Sequence, residues 1–414
     1  MKVLLVHMRY QPDATGTAPL VTQLAQDLAR DGAKVVVITS LPHYGRDSIH
    51  PDYREHQGFF HHSQEHGVEI IRTPVFVPRS RRILQRALNY LSYNLNSLAA
   101  GLLVRGVDVV LAVNPPITTT FSAWILSLLH RAPLIVGIQD IWPDCLIQVG
   151  QIKNKAVIMA SKLLERIQYA VAKKVVVLSL GMKENLLLKE VQEEKIWVIN
   201  NWADTDEVIP LPRENPFSLE QGLGDLFVVL FAGNHGYIGA LECIIEAADL
   251  LKDHPEILFL LAGQGSVKGD LINLVKRKGI NNVRFLPTQP KEKWLEMLAA
   301  ADLGLVTLRK DLADLNVPSK VYTLMAAGRP ILASVPETSE VVRLVQDANC
   351  GFTLAPENPA ELARVILEIK HDKALLEKLG QNGREYLLKY LNRNKQTASY
   401  FALLQDCAAK ERSL

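Results

Sequence analysis

Residues 226–239 read Leu-Phe-Val-Val-Leu-Phe-Ala-Gly-Asn-His-Gly-Tyr-Ile-Gly, an unbroken apolar run that ends in a turn with three glycines. A helical pattern follows from about Ala240 to Lys252. A buried strand, a glycine turn and a helix in this order are typical of the opening of a Rossmann domain. Because this opening lies past the middle of a 414-residue chain, it predicts a second domain.

The first half of the chain also alternates short β-branched runs with longer helical patterns, which is typical of a parallel α/β sheet. Helices are predicted over residues 18–31 and 157–172, and the His-rich stretch from His43 to Gly67 is predicted to be a long loop. The predicted strands cover residues 2–7, 34–39, 68–72, 107–113, 134–139, 174–178 and 195–199.

Three prolines and several acidic residues between Asp204 and Gly224 predict a linker. We therefore expect an α/β protein with Rossmann-like domains over residues 1–205 and 206–390 and a C-terminal helix over 391–414 that crosses back and packs on the first domain. Ligands would bind in a cleft at the carboxyl ends of both sheets. The later predicted elements are strands 257–262, 282–286, 303–308, 330–333 and 351–354 and helical stretches 362–391 and 396–410.

Composition excludes several classes of protein. Lys and Arg number 46 against 44 Asp and Glu, so no global positive field points to nucleic acid as a partner. The four cysteines form no CxxC pair, which favours buried thiols in a reducing compartment. No signal peptide and no spanning stretch of about 20 apolar residues is evident, so we expect a cytoplasmic protein.

The segment from Asn316 to Pro330 carries the strongest chemical signal. Asn316 can cap a helix, Pro318 suits its first turn, and Gly328 followed by Pro330 would end it. The first-turn N–H groups, including that of Ser319, and the Lys320 ammonium would then meet at one point that suits a diphosphate. The alternative is a short helix packed between two strands, with a solvated lysine.

This segment resembles the P-x-K-x-x-E-x-M-A-x-G-x-P motif of family-4 retaining glycosyltransferases with the GT-B fold. More narrowly, the chain resembles the bacterial branch that includes fucosamine transferases of surface-polysaccharide synthesis, over nearly its whole length. The resemblance implies a GT-B architecture, with a nucleotide diphosphate sugar donor on the second domain, a saccharide or lipid-linked acceptor on the first, and no metal or cofactor. The matching residues are Pro318, Lys320, Met325, Ala326, Gly328 and Pro330.

The chain departs from this family at one donor contact. The family glutamate that usually bonds the donor ribose falls on Thr323, whose hydroxyl cannot accept two hydrogen bonds as a carboxylate can. The partner acid falls on Leu315, so a shifted acid contact would come from Asp314. Glu340, on the next strand-to-helix loop, is a second candidate, although a first-turn acid favoured by the helix dipole is the simpler interpretation.

The glycine turn is the second predicted phosphate contact, because Gly233 and Gly236 let the backbone approach an anion closely. Family members often place an arginine and a lysine at the positions of Asn234 and about Ile238. The remaining cationic partners would then be Lys320 and Arg309.

Two segments of the first domain are further candidates. Gly16 and Thr17 join the first strand to the first helix, where related enzymes approach the donor phosphates; an ordinary turn is the alternative. Asp140, Trp142 and Asp144 follow the fifth strand, and acids with an indole at a strand end are suited to sugar binding. Asp140 is the preferred sugar contact, against a turn that only caps the next helix.

A basic cluster opens the helical stretch after residue 78. A stripe of leucines at 84, 88, 91, 95, 98 and 102 predicts a core-facing helix. The arginines, together with residues 76–78, suit anionic lipid head groups on the inner face of the plasma membrane; a basic acceptor-binding rim is the alternative. The cluster consists of Arg79, Arg81, Arg82 and Arg86.

Some local patterns are set aside. Asp204-Thr205-Asp206 lies in the linker, and His61, His62 and His66 lack a spaced partner, so no metal site is expected. A GT-B sugar-nucleotide epimerase or hydrolase, or a non-catalytic nucleotide-sugar-binding protein, remains an alternative to a transferase. A dehydrogenase is disfavoured because the first glycine loop lacks G-x-G-x-x-G.

Overall fold

The computed structural model describes residues 1–13, 17–43, 48–54, 59–78, 83–148, 150, 152–312, 315 and 317–412. The chain forms two compact units. The first consists of Met1–Ile147, Ile152–Asn200 and the residues from Asn394 onward. The second consists of Gln148–Gln151 and Asn201–Arg393. Among the predicted site residues, Gly16, Arg79, Arg81, Arg82 and Asp314 lie outside the described residues.

The first unit is built on an eight-stranded sheet of order β3-β4-β2-β1-β5-β6-β7-β8. Every pairing is parallel except that of β3 with β4. Its strands are β1 (Lys2–Val6), β2 (Lys34–Ser40), β3 (His61–Glu65), β4 (Val68–Thr73), β5 (Val109–Asn114), β6 (Leu134–Ile138), β7 (Lys174–Val177) and β8 (Ile196–Val198). Its helices are α1 (Ala18–Arg30), α2 (Ile83–Gly101), α3 (Thr119–His130), α4 (Asp144–Gln148), α5 (Lys155–Val171) and α6 (Leu180–Leu188), with the C-terminal helix Arg393–Arg412.

The prediction of one long loop from His43 to Gly67 is wrong. Residues His61–Glu65 form β3, which pairs with β4 through a tight turn at His66 and Gly67. Both turn residues have positive φ, 50° and 79°, as a two-residue hairpin requires. The strand was missed because it is a polar edge strand and carries no apolar run.

The second unit contains a six-stranded, wholly parallel sheet of order β11-β10-β9-β12-β13-β14. From β9 the strands are added first towards one edge of the sheet, as β10 and β11, and then towards the other, from β12 onward. Rossmann-like sheets bind ligands at the position where the strand order reverses in this way. The strands are β9 (Phe227–Ala232), β10 (Ile257–Ala262), β11 (Val283–Leu286), β12 (Leu303–Thr307), β13 (Ile331–Ser334) and β14 (Gly351–Leu354). The helices are α7 (Pro216–Glu220), α8 (Leu241–Leu250), α9 (Lys268–Lys278), α10 (Lys291–Ala300), α11 (Lys320–Ala326), α12 (Glu340–Asp347), α13 (Pro359–Ile369) and α14 (Lys373–Tyr390); Arg393–Arg412 is α15.

Three details of the second unit differ from expectation. The linker contains α7, which begins with a capping box between Asn215 and Ser218. The stretch 362–391 is two helices, because the chain turns after Ile369 and Asp372 caps a new helix. Helix α11 begins at Lys320 rather than Pro318, and its N-cap, Ser319, makes no side-chain cap bond.

The leucine stripe of α2 does not face the core, which corrects the prediction. Leu84, Leu88, Leu91 and Leu95 are exposed, whereas Asn89, Tyr93 and Ser97 on the other side are buried. The buried polar groups find hydrogen-bond partners in the unit, so the polar side of the helix can face inward. Arg86 is also exposed. No helix in the described part of the chain is long and apolar enough to cross a membrane.

Candidate functional site

The loops that follow β9 and β10 are packed closely enough for their backbones to touch. Gly233 N donates to Ala262 O at 2.9 Å, and His235 N donates to Gln264 O at 2.9 Å. A Cβ on Gly263 would lie 1.9 Å from Gly233 O, and one on Gly265 would lie 2.2 Å from His235 O. Glycine is therefore required at both positions, and the 233–236 turn is held by backbone contacts at the carboxyl edge of the sheet.

Lys320 extends over this turn from the first position of α11. Its Nζ lies 3.4 Å from the centroid of the buried Phe231 ring, and a Cβ on Gly233 would be 3.3 Å from Nζ. Within the described part of the chain no hydrogen bond or ion pair engages the ammonium. Burial lowers the pKa of Lys320 from 10.5 to about 7. The site therefore holds a desolvated amine whose charged form an anion would stabilise.

A second lysine near the turn has a different role. Lys268 Nζ donates to the carbonyl oxygens of Gly263 and Leu286, each at 2.7 Å. These bonds tie the loop after β10 to the loop after β11, so Lys268 is a structural residue. Lys320 makes no comparable contact with backbone oxygens among the described residues, which leaves its charge available to a ligand.

His235 is a residue of the turn that sequence reasoning did not single out. It is fully buried, and neither ring nitrogen has a hydrogen-bond partner among the described residues. Its ring lies 5.9 Å from that of Phe231 and 6.3 Å from that of Phe285, measured between centroids. Burial, and then the charges of Lys268 and Lys320, lower its pKa to about 4. The imidazole is therefore neutral, and no sequence periodicity marks it.

The other predicted donor contacts lie around the same turn or just beyond it. Arg309 N donates to Ile238 O at 3.0 Å, while the Arg309 guanidinium is 3.8 Å from a Glu357 carboxylate oxygen. The exposed Asn234 side chain lies against Gly236, whose added Cβ would be 3.1 Å from Nδ2. Backbone contacts thus place Arg309 and Asn234 beside the glycine turn.

The residues around α11 are placed less directly for a donor. Pro318 and Ser319 precede the helix instead of forming its first turn. The Thr323 hydroxyl is 3.5 Å from Ser319 O in the preceding turn. Glu340 is buried and ion-paired with Arg343, three residues on in α12. Leu315, at the family's upstream acid position, is also buried. The Glu340 geometry matches that of a first-turn acid.

In the first unit, Thr17 is hydrogen-bonded to a buried histidine, His7, that directly follows β1. His7 Nδ1 is 2.8 Å from Val113 O, and Nε2 is 2.8 Å from the Thr17 hydroxyl. Burial lowers the pKa of His7 to about 4. The neutral ring must therefore donate from Nδ1 to the carbonyl and accept at Nε2 from Thr17. Thr17 is anchored, and its oxygen can still accept a hydrogen bond.

Asp140 and Asp144 have different surroundings. Burial raises the pKa of Asp140 to about 6, opposed by the positive charge of Arg9. Among the described residues no hydrogen bond or ion pair holds its carboxylate. Asp144, in contrast, is 2.7 Å from Lys189 Nζ, which also contacts Glu165 at 2.5 Å. Asp144 thus belongs to an ion-pair network, which leaves Asp140, beside the half-buried Trp142, as the carboxylate free for a ligand.

The patterns set aside as metal sites are engaged elsewhere. Asp204 Oδ2 is 2.6 Å from the Arg393 guanidinium, and its Oδ1 accepts from Asp206 N at 3.2 Å. The described residues contain no cluster of three His, Cys, Asp or Glu able to hold a metal ion. All four cysteines are buried free thiols.

Comparisons with known proteins match both units of the chain to glycosyltransferase families. Residues 15–202 match the family model described as "Glycosyl transferase 4-like domain". Residues 220–386 match "Glycosyl transferases group 1". WcaI of Escherichia coli strain K12, a glycosyl transferase named for colanic acid biosynthesis, is 25% identical over 402 residues, which cover 95% of this chain and 97% of WcaI.

Solved structures show the same fold at low sequence identity. Sucrose-phosphate synthase from Thermosynechococcus elongatus superposes with a TM-score of 0.77 at 16% identity, over 99% of each chain. Anabaena HepE in complex with UDP-glucose superposes with a TM-score of 0.71 at 18% identity, over the full length of both chains. These likenesses confirm the predicted architecture of two Rossmann-like α/β domains. Because the two family models together match residues 15–202 and 220–386, the chain belongs to the glycosyltransferases, a 4-like domain being followed by a group 1 domain, and its fold is that of the GT-B glycosyltransferases.

Proposed function

We propose that this glycosyltransferase moves a hexosyl or N-acetylhexosaminyl group from a nucleotide diphosphate sugar to a saccharide or lipid-linked acceptor in the synthesis of cell-surface polysaccharide. A UDP-sugar is the preferred donor over a GDP-sugar in this proposal. The observation that carries the donor assignment is the Lys320 ammonium, desolvated over Phe231 and free of anionic partners among the described residues. The UDP-glucose complex of HepE supports a UDP-linked donor, and the name of WcaI supports polysaccharide synthesis.

In the proposed reaction the diphosphate lies against the 233–236 turn, where backbone can approach it closely. Negative charge grows on the leaving diphosphate as the sugar–oxygen bond breaks, and Lys320 stabilises that charge in the transition state. Arg309, beside the turn, is the second cation in this proposal. Transfer would occur with retention of anomeric configuration, and no protein nucleophile is assigned.

Asp140 is the proposed sugar contact of the first unit. With a pKa of about 6, its carboxylate is mostly ionised at neutral pH and can accept hydrogen bonds from sugar hydroxyls. Trp142, two residues on, offers an indole face for C–H groups of a saccharide. The anchored Thr17 offers an acceptor oxygen on the loop after β1.

The experiment that tests this proposal combines a donor panel with one variant. Turnover of UDP- and GDP-sugars is followed by release of nucleotide diphosphate, with and without lipid-linked and saccharide acceptors, and NMR gives the anomeric configuration of the product. Lys320→Ala should weaken UDP binding by about tenfold to a hundredfold, because a charge-assisted contact contributes about 1.5–3 kcal/mol. Lys320→Arg should restore only part of it.

Two results would contradict the proposal. Unchanged UDP affinity and rate in Lys320→Ala would place the diphosphate elsewhere. Donor consumption that yields free or epimerised sugar whether or not an acceptor is present would favour a GT-B epimerase or hydrolase instead.

Asp140→Asn, which keeps the size of the side chain but removes its charge, should lower kcat with little change in UDP affinity.

A further inference from the structure

Helix α2 has its polar side inward and its apolar side outward. Asn89 Nδ2 donates to Phe76 O at 2.6 Å, and the Tyr93 hydroxyl donates to Ile38 O at 3.1 Å. The outward side carries Leu84, Leu88, Leu91 and Leu95, with exposed fractions from 42% to 71%. The three- and four-residue spacing of these leucines forms one continuous stripe. Because the inner face is fixed by specific hydrogen bonds, the stripe cannot be turned inward by rotating the helix.

The exposed apolar surface continues on the two neighbouring helices of the layer. Helix α3 packs between α2 and α5. It exposes Ile125, Leu128 and Leu129, and α5 exposes Val157, Met159 and Leu163. We refer to the outward side chains of α2, α3 and α5 as the leucine face. Many exposed large apolar side chains on neighbouring helices mark a site of interaction with a partner or a membrane.

The charges on these helices indicate which kind of partner fits. Among the described residues of α2, α3 and α5 the acidic residue is Glu165, which is buried and bonded to Lys189 and Tyr169. The exposed charged residues are all basic: Arg86, Lys155, Lys162 and Arg166. A second copy of the chain would bring these cations together, whereas an anionic surface would neutralise them.

We propose that the leucine face lies in the interface of an anionic lipid bilayer, with its apolar side chains among the upper acyl chains and its cations at the head groups. Helix α2, of 19 residues, is about 28 Å long and would lie along the membrane plane. The surface differs from the patch expected from the arginine cluster, because leucines of three helices supply the apolar contact and the cations flank them.

The test measures binding of the full chain to vesicles of phosphatidylcholine with and without phosphatidylglycerol. We expect binding to the anionic vesicles. Leu91→Gln combined with Leu95→Gln should weaken it by at least about tenfold, since two leucines lose their apolar contact. Leu219→Gln combined with Leu250→Gln, at exposed leucines of the second unit, is the matched control and should bind as the unaltered chain does.

A second variant tests the charges. Lys155→Gln, Lys162→Gln and Arg166→Gln together should weaken binding to anionic vesicles by more than about tenfold. UDP affinity, measured in parallel, should be unchanged in every variant, which shows that each remains folded and separates this proposal from the donor site. Absence of vesicle binding would overturn it, as would binding unaffected by the leucine variant. Concentration-dependent dimers that the leucine variant abolishes would assign the face to a second copy.

Discussion

At the scale of single residues, Lys320 combines a proposed function with a cost in stability. Its ammonium is desolvated over Phe231, so protonated Lys320 is less favourable in the folded chain than in the unfolded chain. Removing the charge should therefore help the fold while it harms ligand binding.

Lys320→Met tests this exchange. The folded-state pKa of about 7 lies below the unfolded value near 10.4, so the charged lysine destabilises the fold below pH 10, most fully below pH 7. We expect Lys320→Met to raise the free energy of unfolding and to abolish UDP binding. The gain in stability should be larger at about pH 6.5 than at about pH 9.5, which lie on either side of the Lys320 pKa. Urea unfolding at both pH values measures it. A Lys320→Met variant that is less stable than the unaltered chain at the lower pH would contradict the assigned desolvation.

The same pKa predicts proton uptake on ligand binding. A bound diphosphate favours the charged lysine and raises its pKa above 7, so at pH 8, about one unit above that value, binding should take up a fraction of one proton. UDP affinity should fall as pH rises above 7, by no more than about tenfold per unit. Calorimetry in buffers of different ionisation enthalpy measures the uptake. Lys320→Arg is the control, because its guanidinium does not titrate in this range, and uptake that persists in it would assign the proton to another group.

At the scale of elements, the glycine loops after β9 and β10 depend on the absence of side chains. Gly263 has a φ of +142°, and a Cβ there would overlap Gly233 O. The bonds from Gly233 N and His235 N hold both loops in this arrangement. The turn that is proposed to hold the diphosphate is therefore shaped by the neighbouring loop as well as by its own glycines.

Gly263→Ala should lower the free energy of unfolding by at least about 2 kcal/mol, because it adds backbone strain to a steric overlap. It should also weaken UDP binding, since the 233–236 turn must move. Gly269→Ala is the matched control: it lies in α9 with no atom within 4 Å of the added Cβ. For Gly269→Ala we expect the free energy of unfolding to rise by up to about 1 kcal/mol. Thermal unfolding and UDP titration of both variants decide; equal effects would show that the loop contact is unimportant.

At the scale of the whole molecule, the cationic groups proposed for the donor belong to the protein itself. The Lys320 ammonium lies over the glycine turn, and Arg309, whose backbone N–H bonds Ile238 O, is the second cation of the proposal. Transfer should therefore continue in excess EDTA at an unchanged rate. Initial rates with EDTA, and after adding back Mg²⁺ or Mn²⁺, measure this. Activity that EDTA abolishes and metal restores would require a divalent cation in the reaction.

The sequence by itself determined most of the elements and the order of the two domains. Largely buried parallel strands such as β1, β9 and β10 are nearly continuous apolar runs, and such runs are recognisable without any tertiary information. The glycine turn was found in this way, whereas the P-S-K segment was found from its proline and glycine signals and its resemblance to a family motif. The edge strand β3 was missed because polar side chains on a hairpin edge give no such signal.

Only the tertiary structure decided how these pieces meet. Lys320 and Phe231 are far apart in sequence, and parallel strand order brings the turn after β9 beside the start of α11. The burial of His235 likewise depends on Phe285, from another strand. For α2, helical periodicity predicted a leucine stripe correctly but not the direction that it faces. That direction was fixed by buried hydrogen bonds to Ile38 and Phe76, which no local pattern encodes.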